Sequence, residues 1–275
     1  MISINTNISS LIAQNSLKKS TLKLNNAIEQ MTTGYKINHA KDNAANYSIA
    51  VDMSTKIGAY EVAEENCAMA LDLLNTANEA LGLIADKTAR LEALWTQYSN
   101  GTYGADSKDA INAEVRAINQ EMIRIFKNTE YNGKKLLYEK DNNIYFSFQI
   151  GIDDSLDSEI SVSLFIRTSF IANYIDTFNP NEDFSNGLSL SNIKKILNFA
   201  TTRQTELGAV QNQLESALEA ISTQRENLIS SRSTLKDADV AEVSSEYIKQ
   251  QILQQASATL LATANQSPAL ALQLI

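Results

Sequence analysis

Three observations predict a mainly α protein: a long coiled-coil helical bundle with a small β-hairpin region and paired N- and C-terminal helices. Apolar residues recur in alternating steps of three and four over most of the chain. The only prolines are Pro180 and Pro268, so nothing interrupts long helices between residues 1 and 179. Both ends are uncharged: 1–17 and 250–275 hold no Lys, Arg, Asp or Glu, on a chain whose formal net charge is -9.

Element by element, Leu17, Thr21, Leu24, Ile28, Met31 and Tyr35 outline the seam of a first helix. Gly34 and the Asn/Asp residues of "TTGYKINHAKDN" break it. A second helix is expected from about Ala44 to about Tyr98, its seam running Met53, Ile57, Tyr60, Glu64, Cys67, Leu71, Leu74, Asn78 and Leu81. After one slip the seam continues through Ile84, Thr88, Leu91, Trp95 and Tyr98. Beyond a loop with Gly101 and Gly104, a third helix carries Ile111, Val115, Ile118, Met122 and Ile125 in register, and Asn132-Gly133 marks a turn.

The one clear β pattern follows. Ile144, Phe146, Phe148, Ile150 and Ile152 alternate with more polar neighbours, as do Ile160, Val162 and Leu164, which predicts a hairpin near 144–165. The segment 167–190 is irregular, with Pro180 and Gly187. Leu207, Val210, Leu214, Ala217, Ile221, Gln224, Leu228, Ser231 and Leu235 then form a long heptad seam. "KDAD" interrupts it, and a final helix is expected from about Val240 towards Asn265, ended by Pro268. The plan is an inner terminal coiled-coil domain of 1–43 with 236–275, and a body domain of 44–235.

Composition excludes several functions. A pI near 4.8 without a basic stripe argues against nucleic acid. One cysteine, Cys67, permits no internal disulfide, and with the single His39 it makes a poor zinc inventory. Cys67 reads as a small buried side chain and His39 as a solvated or capping residue. No phosphate loop, nucleophile elbow or calcium-loop spacing occurs, so neither an enzyme nor a cofactor is expected. The start lacks a basic n-region ahead of an apolar stretch, so if the protein leaves the cell it is expected to do so without a cleaved signal peptide. Gln, Ser, Thr and Asn break the C-terminal stretch, and no membrane insertion is expected.

Helices with little charge and many Ala, Gln, Ser and Leu positions have weak reason to fold alone, yet many copies around an axis would bury nearly every face. Ordinary buried helices are the competing explanation. The candidate polymerisation residues are Ile4, Ile8, Leu11 and Ile12 near one end, and Ile252, Leu253, Leu260 and Leu261 near the other.

Five stretches, in order, carry a resemblance. "MTTGYKINHAKDNAANYSIA" (31–50), "TEYNGKKLL" (129–137), "FSFQIG" (146–151), "LGAVQNQLESAL" (207–218) and "ILQQASATLLATANQSPALALQLI" (252–275) resemble the sequence landmarks of bacterial flagellins. Departures are Asn43 within the first landmark, where a second acid is usual, and Cys67. The resemblance implies a short form without the outer variable domains. It implies a subunit exported through the flagellar type III apparatus into the extracellular filament, with itself, an export chaperone at the C-terminal helix, and cap and junction proteins as partners. Its termini would line the filament core and its body helices the tube wall. It further implies recognition by a Toll-like receptor of a host through Arg90, Leu94 and Glu114, with Arg90 and Leu94 on one helix face beside the Leu91/Trp95 seam. Alternatives are a hook–filament junction protein and a secreted flagellin-like protein acting on host receptors.

Overall fold

The computed structural model describes residues 7–138, 145–153, 155, 158–163, 173–175, 179 and 182–273, and the side chains of these up to residue 266. Of the expected elements, Ile4, Ile144, Leu164, Pro180 and most of 164–181 lie outside the described residues. Among the described residues, the following helices and strands occur in order. These are α1 (Ile8–Thr33), α2 (Ala44–Tyr98), α3 (Ala105–Asn128), β1 (Glu130–Tyr131), β2 (Lys134–Lys135), β3 (Tyr145–Gln149), β4 (Glu159–Ser163), α4 (Leu190–Lys236) and α5 (Val240–Gln273). The expected bounds of the second helix and the start of the last agree with α2 and α5. Among the described residues, no helix is long and apolar enough to cross a membrane.

The chain divides into two compact units, 1–57 with 226–275 and 58–225. The units meet at 57/58, later in α2 than the expected division at 43/44, and at 225/226, earlier in α4 than the expected 235/236. The last turns of α4 belong with the first turns of α2, where Arg232 Nη1 donates to Ser54 Oγ at 3.4 Å.

The 58–225 unit contains the larger core. Leu74, Leu81, Ile84 and Leu91 of α2, Val115, Met122 and Phe126 of α3, and Ile196, Leu207 and Leu214 of α4 are buried together. Because α2 packs against both α3 and α4, it buries a stripe wider than a two-position seam, with Leu73, Ala80 and Leu94 added to the expected line. Cys67 is fully buried, and burial first, then the nearby Glu64, pushes its thiol pKa up, which suppresses the nucleophilic thiolate. Asn132 and Gly133 both take positive φ, 49° and 76°, as the two-residue turn between β1 and β2 requires.

β3 pairs antiparallel with β4, Phe146 opposite Val162 and Phe148 opposite Ile160. Ile160 and Val162 turn into the core, and the alternation that predicts the hairpin is the alternation that buries one face. Gly151 follows β3 because its N–H donates to the Ser158 carbonyl at 2.9 Å, and a Cβ there would collide with the Ser158 side chain.

In the other unit, α1 ends at Gly34, whose φ of 74° is the left-handed cap that glycine adopts at least cost. The chain end after α1 is tied to the α4–α5 junction by Lys36 N–H to the Lys236 carbonyl (2.7 Å) and Ala238 N–H to the Gly34 carbonyl (2.9 Å). Asp42 then accepts from the N–H groups of His39 and Asn38. The His39 bond is the larger influence, and together they hold its carboxyl below the usual range although burial opposes them. His39 is exposed and pairs with Glu29 at 2.6 Å.

Candidate functional site

The terminal pair α1–α5 is antiparallel. Ser16 Oγ lies 3.0 Å from Ser257 Oγ, Gln254 Nε2 donates to Thr21 Oγ1 at 3.0 Å, and Ser10 Oγ donates to Asn265 Oδ1 at 2.7 Å. The helices run close enough that their Cα atoms come within 8 Å along the pair. Small side chains allow this approach. Ala13, Ser20 and Ala27 are buried on α1 at seven-residue steps, facing Val243, Gln250 and Ser257, also seven apart, on α5.

This corrects the expected seam of the first helix. Leu17, Thr21 and Leu24 are only half-buried, while Ile28, Met31 and Tyr35 are exposed. The helix carries two stripes, one small and one large, and it buries the small one. Ranking residues by hydrophobicity selects the wrong stripe, because close approach of backbones favours Ala and Ser over Leu.

The large residues point outward. Ile12 is 64% exposed and Leu260 61%, and Ile8, Leu11, Ile252 and Leu253 are also exposed, while Leu261 is half-buried. Since residue 7 lies beside 264 and residue 16 beside 257, Ile8, Leu11 and Ile12 sit level with Leu260 and Leu261. Leu22 is likewise level with Leu253, because Thr21 meets Gln254. The pair is thus a coiled coil turned inside out, with a hydrogen-bonded seam within and apolar rows outside.

Pro268 does not end the last helix, contrary to expectation, and α5 continues to Gln273. A proline lacks the N–H that would bond the carbonyl four residues earlier, here Ala264. Asn7 supplies the missing donor: its Nδ2 donates to the Ala264 carbonyl at 2.6 Å, while its Oδ1 accepts from Ser10 N–H at 3.1 Å and caps α1. One side chain joins the start of α1 to the weak point of α5, a link no local pattern announces.

The three residues expected to meet a receptor do not share one surface. Arg90 and Glu114 are brought together from α2 and α3, Nε to Oε1 at 2.8 Å and Nη2 to Oε1 at 2.7 Å, with both side chains about half exposed. Leu94 is 1% exposed and lies on the buried stripe, not beside it. The physical reason is again the doubled packing of α2, which takes in both Leu91 and Leu94.

Long helices and an antiparallel terminal pair with exposed apolar rows describe a mainly α-helical protein of the structural kind. The family profile described as "Bacterial flagellin N-terminal helical region" matches residues 4–142, and "Bacterial flagellin C-terminal helical region" matches 190–275. A Bacillus subtilis flagellin is 31% identical over 301 residues, covering 99% of each chain. A Listeria innocua flagellin is 29% identical, again over 99% of each. The Treponema phagedenis flagellar filament 33 kDa core protein is 25% identical over 99% of each. The chain belongs to the bacterial flagellin family, the structural subunits of flagellar filaments.

Proposed function

We propose that the α1–α5 pair is the element through which copies of this chain polymerise into an extracellular helical filament for motility. The observation that carries this reading is the inverted pair, whose large apolar residues Ile8, Leu11, Ile12, Ile252, Leu253 and Leu260 are exposed among the described residues. Exposed apolar rows of this kind mark interaction surfaces, and their occupants here are the same rows on neighbouring copies. Export without a cleaved leader, with a chaperone shielding the apolar face of α5 and cap and junction proteins at the filament ends, completes the reading. A tail that is uncharged from Gln250 onward needs such shielding before assembly.

Seeding purified protein with filament fragments, beside a version lacking 250–275, tests the proposal by electron microscopy. Long tubes from the intact chain alone support it. Tubes from both chains would show that the tail is dispensable and would overturn it.

A second reading rests on the half-exposed Arg90–Glu114 ion pair on the 58–225 unit, in which two guanidinium N–H groups converge on one carboxylate oxygen. A host Toll-like receptor would meet this pair, with Leu94 beneath it as a packing residue. Arg90→Ala and Glu114→Ala are each expected to lower receptor signalling at least tenfold, the scale of a lost charge-assisted contact. Unchanged signalling in both would exclude the pair as a contact.

A further inference from the structure

Ahead of α4, residues 182–188 lie over the packing of α2 on α3. Asp183 is 4% exposed, and its Oδ2 accepts from Arg116 Nη1 at 2.5 Å. Its Oδ1 accepts from the Ser185 N–H at 2.9 Å and the Ser185 hydroxyl at 2.5 Å. Its carbonyl accepts from the N–H groups of Asn186 and Leu188. The next residue, Phe184, meets Trp95 edge-on at 5.1 Å and Tyr98 at 5.4 Å. On the far side, Tyr174 donates to Asn119 Oδ1 at 3.1 Å, and Asn119 Nδ2 donates to the Glu182 carbonyl at 3.4 Å. One carboxylate therefore organises the turn, binds it to α3 and seats an aromatic ring on α2.

We propose that Asp183 is an acid-released latch, whose protonation frees 182–188 from Arg116 and lifts Phe184 off Trp95 while the long helices persist. A neutral carboxyl loses the charge attraction to Arg116 and one acceptor role, and the Arg116 side chain, about a third exposed, can turn to water once released. Burial alone would push the Asp183 carboxyl up, but the Ser185 hydroxyl and N–H and the Arg116 guanidinium outweigh it and hold it below the usual carboxylate range. A carboxylate depressed in the folded state stabilises above its unfolded pKa, and that contribution is lost as pH falls through the folded value. Release therefore belongs to the acid side of the ordinary Asp range.

The neighbouring charges do not imitate this behaviour. The basic side chains near the latch are Arg116, the partner of Asp183, and Lys108, 5.2 Å above the Tyr98 ring. Burial pushes the Glu182 carboxyl up, so it is neutral before Asp183 titrates. Burial first, then Glu182, pushes the Tyr174 hydroxyl up, and it stays protonated.

Trp95 is the only tryptophan, so its emission reports the seat of Phe184 directly. Emission and helical circular dichroism are followed together from neutral to acid pH on the full chain. The expected result is an emission step below the ordinary Asp range while helicity is retained. Arg116→Gln is expected to move that midpoint up by about one pH unit or more, the size of a lost opposite charge, and Arg116→Lys to bring it part of the way back. Asp183→Asn should remove the step, and Glu182→Gln should leave its midpoint in place. Emission and helicity lost together in the wild type, or a midpoint unmoved by Arg116→Gln, would overturn the latch. Both readouts survive even if Asp183→Asn fails to fold.

Discussion

Seeded solutions of the Ile12→Asp/Leu260→Asp double variant are expected to yield no sedimentable tubes, while the helical content of the 58–225 unit is unchanged. Each of these residues is over 60% exposed in the chain, so the substitutions remove little internal contact. Burying a full Ile or Leu side chain contributes roughly 1.5–3 kcal/mol. Losing two therefore costs about 3–6 kcal/mol per subunit added, or roughly two to four powers of ten in critical concentration. An aspartate placed in the same apolar surroundings adds a desolvation penalty on top. Sedimentation over a concentration series measures the effect. A critical concentration equal to wild type would mean that these rows face solvent in the polymer.

Phe126→Ala should give the largest loss of monomer stability. Phe126 is fully buried on α3, its ring 6.5 Å from that of Phe199 on α4, so it joins two of the three long helices of its unit. A buried Phe truncated to Ala costs about 3–5 kcal/mol through lost transfer energy and the cavity left behind. For a unit of this size that corresponds to a fall in Tm of roughly 10 °C. Calorimetry of the monomer checks it, and a fall of only a degree or two would mean that the core collapses around the site. Leu94, expected at a receptor surface but buried, should behave in the same direction if replaced by Ala.

Legibility in the sequence followed the range over which each feature is encoded. The bounds of α2 were readable because fifty-five residues without Pro repeat one period, and periodicity accumulates evidence with length. The hairpin was readable because Phe146, Phe148, Ile160 and Val162 alternate and one face is buried. Which stripe α1 buries was not, since both stripes share the helical period and only the partner stripe of Val243, Gln250 and Ser257, more than two hundred positions away, selects Ala13, Ser20 and Ala27. The exposed placement of Leu94 failed for a related reason, as a single-partner seam cannot foresee a helix packed on two neighbours. The order in 182–188 was hidden because Asp183 and Arg116 are 67 residues apart, although Asp183 followed by Ser185 and Gly187 is a local turn signal. Gly187 does take a φ of 115°, in keeping with that signal.

The bond from Asn7 to the carbonyl left bare by Pro268 makes the two terminal helices a ruler for one another. One residue inserted into α1 or α5 turns everything beyond it by about 100° and advances it by about 1.5 Å, so amide and carbonyl no longer coincide. The flaw in α5 and its remedy in α1 thus hold only at one pairing of lengths. Residues added between β4 and α4 leave that pairing untouched. Length is therefore constrained in the two terminal helices by a single bond, and the connection from β4 to α4 lies outside that constraint.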